Sequence, residues 1–173
     1  LQSKVKERFN AKDRQGRMNY MTEDDLLNWF TQICLAMKHC HDKKILHRDL
    51  KSQNIFITKK GMVKLGDFGI ARVLSNTRSK AKTVVGTPYY LSPEIIKSEA
   101  YSFKSDIWSL GVLLYEMAAL QPPFNASSLH QLAIRICQGK YNPLPGHFSA
   151  QVTNLVAMML NKDPNQRPTT VSY

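Results

Sequence analysis

Apolar residues recur at helical spacing over much of the chain, which predicts a mainly helical protein. A short amphipathic helix is predicted over residues 1–9. A longer helix is predicted to start at Thr22, which can cap it together with Asp25, and to continue to about residue 43. The apolar face of this second helix includes His41, which we count as one of its packed positions.

The predicted core of the protein is a third helix over residues 106–120, which is apolar on nearly every face. Because such a helix has no face suited to water, we predict that it is buried. Two amphipathic helices follow it along the chain. The first is capped by Ser128 and ends near Gly139, and the second is capped by Ser149.

Two short strand-like runs, residues 55–57 and 63–65, predict a β hairpin between the second and third helices. Gly61 lies in their connection, where it suits a tight turn. A polar segment precedes the first strand and Asp67 follows the second, so the hairpin would bring these two parts of the chain together.

The polar segment before the hairpin carries a carboxylate, an amine and an amide within six residues: Asp49, Lys51 and Asn54. A carboxylate can accept a proton, an amide oxygen can bind a hard cation, and a lysine can stabilise a transferring phosphoryl group. For each residue taken singly, a solvated surface loop is the simpler interpretation. The complete string favours a catalytic loop for phosphoryl transfer.

Three motifs resemble those of protein kinases: H-R-D-L-K-x-x-N at residues 47–54, D-F-G at 67–69 and S-P-E at 92–94. The glycine before D-F-G and the run V-G-T-P-Y-Y-L-S-P-E at residues 85–94 resemble the NIMA-related serine/threonine kinases. The resemblance implies ATP and Mg²⁺ as cofactors, and proteins with serine or threonine hydroxyls as substrates. It also implies a cytoplasmic protein with a place at centrosomes, cilia or the nucleus.

The resemblance implies that residues 1–173 form part of a kinase catalytic domain, namely the mainly α C-terminal lobe with a short β hairpin beside the catalytic loop. The eight glycines never form G-x-G-x-x-G, and no V-A-I-K-like strand precedes the catalytic loop. The N-terminal β lobe is therefore expected to be absent from this sequence. We expect these residues alone to be inactive, because positioning supplies most of the rate in phosphoryl transfer.

The family's chemical roles carry over to five matching residues. Asp49 would be the catalytic base, and Lys51 would stabilise the γ-phosphoryl charge of ATP. Asn54 and Asp67 would bind Mg²⁺. Phe56 stands where the family forms the floor of the adenine pocket, but it could equally be a core residue.

Thr83 is the candidate activating phosphorylation site, and Arg48 beside the base would pair with its phosphate. The alternative is an ordinary loop threonine; Ser75, Thr77 and Ser79 are weaker candidates. The resemblance also implies that Thr87 positions the substrate next to the base.

Five residues are implied to be structural. His47 and Phe68 would pack inside the lobe, and Asp106 would brace the catalytic-loop backbone. Glu94 and Arg167 would form a buried ion pair. The chain departs from the usual family pattern at two positions, with Ser92 in place of alanine and Gln53 in place of glutamate, and neither departure argues against the catalytic roles.

Composition and charge argue against several functions other than that of a kinase. The net charge of +11 is spread along the chain rather than gathered in a tail, which favours a solvated basic surface and argues against direct nucleic-acid binding. The three cysteines form no C-x-x-C pair, as is typical of reduced intracellular thiols, and two of them are expected to be packed. No apolar run reaches membrane-spanning length. The remaining rival is an inactive binding module that docks partners through residues 129–138.

Overall fold

The computed structural model describes residues 1–11, 18–66 and 88–169. Within these ranges the protein is mainly helical, as predicted, with one two-stranded sheet. The elements in chain order are α1 (Gln2–Asn10), α2 (Glu23–Asp42), a 3-10 turn (Ser52–Asn54), β1 (Ile55–Ile57), β2 (Val63–Leu65), α3 (Pro93–Ile96), α4 (Phe103–Ala119), α5 (Leu129–Gln138), α6 (Ala150–Met159) and a second 3-10 turn (Pro164–Gln166).

The predicted N-caps of three helices are confirmed. The Thr22 hydroxyl accepts the Asp25 N–H at 3.2 Å at the start of α2. Ser128 and Ser149 cap α5 and α6 in the same way, each at 3.3 Å from the N–H three residues on. Gly139 ends α5 at φ +66°, a left-handed conformation that glycine adopts without a steric penalty.

The core helix α4 begins three residues earlier than predicted, at Phe103 rather than at Asp106. The cause is a capping box. The Ser102 side chain accepts a backbone N–H of the first turn, and the Ser105 side chain accepts the Ser102 N–H. The box was missed because its second member is a serine rather than a glutamate or glutamine. Asp106 therefore lies inside the first turn, with its side chain directed into the protein.

Helix α4 is the centre of the core, as predicted. Its residues are almost all buried, and it packs against α2 and α6. A Cβ atom added at Gly111 would lie 2.7 Å from the Cβ of Met159 on α6, so the glycine permits the close approach of these two helices. Trp108 stacks on Phe124 with ring centroids 5.6 Å apart on another side of α4.

The antiparallel hairpin has the predicted strands, with Ile55 opposite Leu65 and Ile57 opposite Val63. Gln32 of α2 holds it in place, because its Oε1 accepts the N–H of Val63 at 2.9 Å. The hairpin lies against α2 and leads directly out of the polar segment.

All three cysteines are free, and Cys34 and Cys40 are buried, in agreement with the expectation that two are packed. Burial raises the pKa of the Cys34 thiol to about 12. Within the described parts of the chain, no helix has both the length and the apolar character that a membrane span requires.

Candidate functional site

The backbone of residues 47 and 48 is fixed by the carboxylate of Asp106. Its Oδ2 accepts the His47 N–H at 3.1 Å and lies 2.9 Å from His41 Nε2. Its Oδ1 accepts the Arg48 N–H at 3.1 Å and the Tyr101 hydroxyl at 2.5 Å. The first turn of α4 thereby anchors the segment that carries the candidate base.

Asp106 is fully buried, yet its environment favours the charged form. Burial by itself raises the pKa of a carboxyl group, but the hydrogen bonds from His41, Tyr101 and the two backbone N–H groups outweigh it and lower the pKa of Asp106. A buried carboxylate that receives hydrogen bonds on both oxygens is a rigid anchor, because rotation would break several of them at once.

Arg48 has a left-handed backbone conformation, with φ at +66°. This conformation costs a non-glycine residue about 1–2 kcal/mol, and the hydrogen bond from its N–H to Asp106 stabilises it. His47 is completely buried, as predicted, and its Nδ1 accepts the Asp49 N–H at 3.4 Å. Burial lowers the pKa of His47, which favours the neutral ring that this acceptor role requires.

Asp49, Lys51 and Asn54 converge on one point. Lys51 Nζ lies 2.9 Å and 2.7 Å from the two carboxylate oxygens of Asp49. Asn54 Nδ2 donates to the Asp49 carbonyl at 2.8 Å and to its Oδ2 at 2.9 Å. The Asp49 and Lys51 side chains are 42% and 34% exposed, so a substrate can reach them.

The arrangement offers an oxygen ligand for a hard cation and a positive charge for a phosphoryl group. Asn54 directs its amide nitrogen at Asp49, so its oxygen, an atom type that Mg²⁺ prefers, lies on the other side of the amide. Lys51 supplies a cation for a phosphoryl group. The described residues contain no cluster of three or more His, Cys, Asp or Glu side chains able to hold a metal ion. A Mg²⁺ site would thus need Asn54 with a further ligand, for which Asp67 is the sequence candidate.

A cavity of about 240 Å³ lies next to this point. Asp49 and Lys51 line one wall, and residues 88–92, which lead into α3, line another. Tyr101, Ser105 and Ser109 close it from the side of α4. The cavity therefore opens directly onto the candidate base, where a substrate hydroxyl would have to lie.

The sequence alone did not identify a second polar cluster beside the catalytic loop. Ser52 donates to Glu116 at 2.9 Å, and the Tyr90 hydroxyl donates to the other Glu116 oxygen. The Tyr90 hydroxyl in turn accepts the Ser52 N–H at 3.1 Å. Burial is the main reason that the pKa values of Glu116 and Tyr90 are both raised. One signal was present, because Glu116 and Asp106 are the two acidic residues in the otherwise apolar α4.

Phe56 is 55% exposed in β1, so the interpretation of Phe56 as a core residue was wrong. Its strand neighbour Ile55 points inward, and alternation along the strand directs Phe56 outward. A role for Phe56 against a nucleotide stays a prediction. The predictions for Asp67, Phe68, Thr83 and Thr87 fall outside the described residues.

Glu94 and Arg167 form a bidentate ion pair, with nitrogen–oxygen distances of 2.7 Å and 2.8 Å. Both residues are buried, at 4% and 1% exposure. The pair joins α3, immediately after the wall of the cavity, to the chain that follows α6. Ser105 adds a hydrogen bond to Glu94 at 2.7 Å.

Comparison of the sequence with known proteins assigns the chain to a family. The protein kinase domain family matches residues 4–173. Serine/threonine-protein kinase Nek1 of Mus musculus is 52% identical over 87% of this chain and 12% of its own length. Serine/threonine-protein kinase Nek5 of Homo sapiens is 53% identical over 85% of the chain and 21% of its own.

Serine/threonine-protein kinase Nek3 of Mus musculus is 50% identical over 93% of the chain and 31% of its own length. The chain thus spans between 12% and 31% of the length of these three relatives. The family match extends through the catalytic loop, the cavity and the buried ion pair.

Proposed function

Because the chain belongs to the protein kinase family and is related to the Nek kinases, we propose that the protein transfers the γ-phosphoryl group of ATP to serine and threonine hydroxyls of proteins. The observation that carries this proposal is the convergence of Asp49, Lys51 and Asn54 at the mouth of a cavity. The match over residues 4–173 supports one catalytic-domain segment.

In this mechanism Asp49 accepts the proton of the substrate hydroxyl as the hydroxyl oxygen attacks the γ-phosphorus, while the bond from the γ-phosphorus to the bridging oxygen breaks and ADP leaves with that oxygen. Asn54 orients the Asp49 carboxylate through the bond to Oδ2, and Asp106 fixes the backbone on which Asp49 stands. Lys51 moves from its contact with Asp49 to the phosphoryl oxygens as negative charge accumulates there. Asn54 and Asp67 would hold Mg²⁺, whose positive charge would offset the negative charge of the phosphates.

We also propose that Thr83 is an activating phosphorylation site whose phosphate pairs with Arg48. Support comes from the exposed position of Arg48 next to the base and from its fixed backbone, which holds the guanidinium stem at the rim of the cavity. A phosphate there would gain charge-assisted hydrogen bonds and draw its own segment toward the catalytic loop. For the location in the cell, the resemblance to the NIMA-related kinases supports a proposal of centrosomes, cilia or the nucleus.

The catalytic proposal is tested with the full-length protein, ATP, Mg²⁺ and casein. Asp49→Asn keeps the shape of the side chain but cannot accept the proton, so kcat should fall by about 10²–10⁴-fold. Asp42→Asn is the matched control, because Asp42 is an exposed acid paired with Lys38 on the surface. The control should keep kcat within about twofold. Retention of full activity in Asp49→Asn would exclude this role.

The regulatory proposal is tested by Thr83→Ala, with Thr153→Ala as the control, because Thr153 is an exposed threonine on α6. Loss of the phosphate site should lower kcat strongly, whereas the control should stay near the parent value. Equal activity of Thr83→Ala and the parent, after both have been incubated with ATP, would contradict it.

A further inference from the structure

Tyr101 contacts the catalytic loop in two ways. Its hydroxyl donates to Asp106 Oδ1 at 2.5 Å, and this same oxygen accepts the Arg48 N–H at 3.1 Å. Its ring lies under the Arg48 guanidinium, 5.9 Å from the ring centroid to the central carbon. One side chain therefore touches both the anchor of the Arg48 backbone and the Arg48 side chain.

The hydroxyl contact bears on the most strained point of the loop. The hydrogen bond from the Arg48 N–H to Oδ1 offsets part of the cost of the left-handed Arg48 backbone. On the Oδ2 side, His41 and the His47 N–H hold the carboxylate, but on the Oδ1 side Tyr101 is the side-chain partner that the structure describes. Without it, the Arg48 N–H would be the remaining described donor to Oδ1, so this oxygen would be held less firmly beside the Arg48 backbone.

The ring contact bears on the side chain next to the base. Arg48 is exposed, and a free arginine side chain samples many rotamers. A cation over an aromatic face is attracted by the ring quadrupole, so the Tyr101 ring limits where the guanidinium can lie. Tyr101 also lines the cavity that opens onto Asp49.

We propose that Tyr101 is a positioning residue of the catalytic loop, whose hydroxyl holds Asp106 in register with the Arg48 backbone and whose ring holds the Arg48 guanidinium at the rim of the cavity. This inference rests on the proposed kinase function. It assigns no proton transfer to Tyr101; burial raises the pKa of its hydroxyl well above the ordinary value, so the hydroxyl remains a donor.

The two contacts can be separated by two substitutions in the full-length kinase. Tyr101→Phe removes the hydroxyl and keeps the ring, whereas Tyr101→Leu removes both. Tyr115→Phe is the matched control, because the Tyr115 hydroxyl on α4 donates to the Asn142 carbonyl at 3.1 Å, away from the loop. Each variant is assayed for kcat, KM for ATP and melting temperature.

We expect Tyr101→Phe to lower kcat by about tenfold with KM for ATP unchanged, because small displacements of a catalytic group can cost up to about 10²-fold. Tyr115→Phe should lower the melting temperature about as much as Tyr101→Phe does, but it should keep kcat near the parent value. A kcat of Tyr101→Phe within twofold of the parent, or no lower than that of Tyr115→Phe, would overturn the role of the hydroxyl.

The ring is tested by comparing Tyr101→Phe with Tyr101→Leu in the parent and in an Arg48→Gln background. In the parent background, Tyr101→Leu should have a kcat about two- to fivefold lower than that of Tyr101→Phe, because it also loses an exposed cation–π contact. In the Arg48→Gln background, Tyr101→Leu and Tyr101→Phe should have the same kcat, because the guanidinium that the ring contacts is absent. An equal loss in both backgrounds would overturn the contact with Arg48.

These outcomes are distinguishable from failure of the kinase assignment. If the parent enzyme does not phosphorylate casein, or if Asp49→Asn is fully active, the proposed function itself is wrong. If Tyr101→Leu does not fold, Tyr101→Phe and its control still decide the role of the hydroxyl, because phenylalanine keeps the ring volume. Tyr101→Phe can then also be compared in the parent and in the Arg48→Gln background. Its effect on kcat should persist in both, because the hydroxyl acts through the backbone N–H of residue 48, which both proteins contain.

Discussion

Replacement of Arg167 by methionine should destabilise the protein strongly, because this arginine is a buried cation with several partners. Arg167 is 1% exposed, and its guanidinium donates to both oxygens of Glu94. It also donates to the Asn161 carbonyl at 2.8 Å and to the Lys104 carbonyl at 2.9 Å. Its central carbon lies 5.0 Å from the Trp108 ring centroid. Methionine fills part of this space but satisfies none of the acceptors.

Two independent arguments lead to a similar cost. Removing one member of a buried ion pair typically costs about 3–5 kcal/mol, because the other charge stays buried without its partner. Burial raises the pKa of Glu94, but the hydrogen bonds from Arg167 and Ser105 outweigh it and lower this pKa from 4.5 to about 2. A shift of that size corresponds to about 3 kcal/mol of stabilisation at neutral pH, to which Arg167 and Ser105 both contribute. We therefore expect Arg167→Met to lower the free energy of unfolding by about 3–5 kcal/mol.

The assay is urea unfolding followed by tryptophan fluorescence, since Trp108 lies beside the substituted residue. Lys38→Met is the control, because Lys38 pairs with Asp42 on the surface and should contribute less than about 1 kcal/mol. A loss below about 1 kcal/mol for Arg167→Met would refute the reasoning that the pair is desolvated and energetically coupled.

The pH dependence gives an independent check on the same pair. The folded pKa of Glu94 is depressed, so its contribution is complete above the unfolded value of about 4.5 and is lost as the pH falls toward about 2. The parent should lose more stability across this range than Glu94→Gln, which carries no titrating group there. Parallel stability curves for the two proteins would contradict the assignment.

Asp106→Asn replaces one acceptor oxygen of the loop anchor by an amide donor, so we expect a loss of about 1–3 kcal/mol in urea unfolding together with a lower kcat; an unchanged kcat would argue against the anchor. Gly111→Ala places a methyl group against Met159 and should cost about 1–3 kcal/mol, measured by thermal unfolding, unless α4 and α6 separate freely. Cys137 should react with a thiol reagent faster than Cys34, whose thiol is buried and has a pKa of about 12, and mass spectrometry of the modified peptides tests the order.

Several features of the fold were predictable from short segments of sequence. The hairpin strands, the caps of α2, α5 and α6, and the buried character of α4 all depend on residues no more than a few positions apart. Local spacing carries this information because helices and turns are built from contacts between near neighbours. The start of α4 was misplaced because its capping box uses a serine where glutamate or glutamine is the recognised signal.

The candidate site was predicted in part, and chiefly through its resemblance to a known family. The proximity of Asp49, Lys51 and Asn54 follows from a segment of six residues. The anchor of this segment does not follow from local spacing: the apolar pattern predicts His41 only as a packed position of α2, whereas the structure joins it to Asp106, 65 positions further along the chain. In the sequence alone, the alternation of a three-residue strand also did not show whether Phe56 faces the core or the surface.

The five longer helices, the hairpin, the catalytic string and the family could be predicted from the order of the amino acids, because each depends on contiguous or periodic residues, whereas the four-residue helix α3 was not predicted. Folding was needed to show which buried polar groups share a partner, namely that Tyr101 and Arg48 meet on one oxygen of Asp106. A buried carboxylate must be satisfied by donors that the folded chain brings close to it, and these donors come from distant positions whose spacing follows no local period.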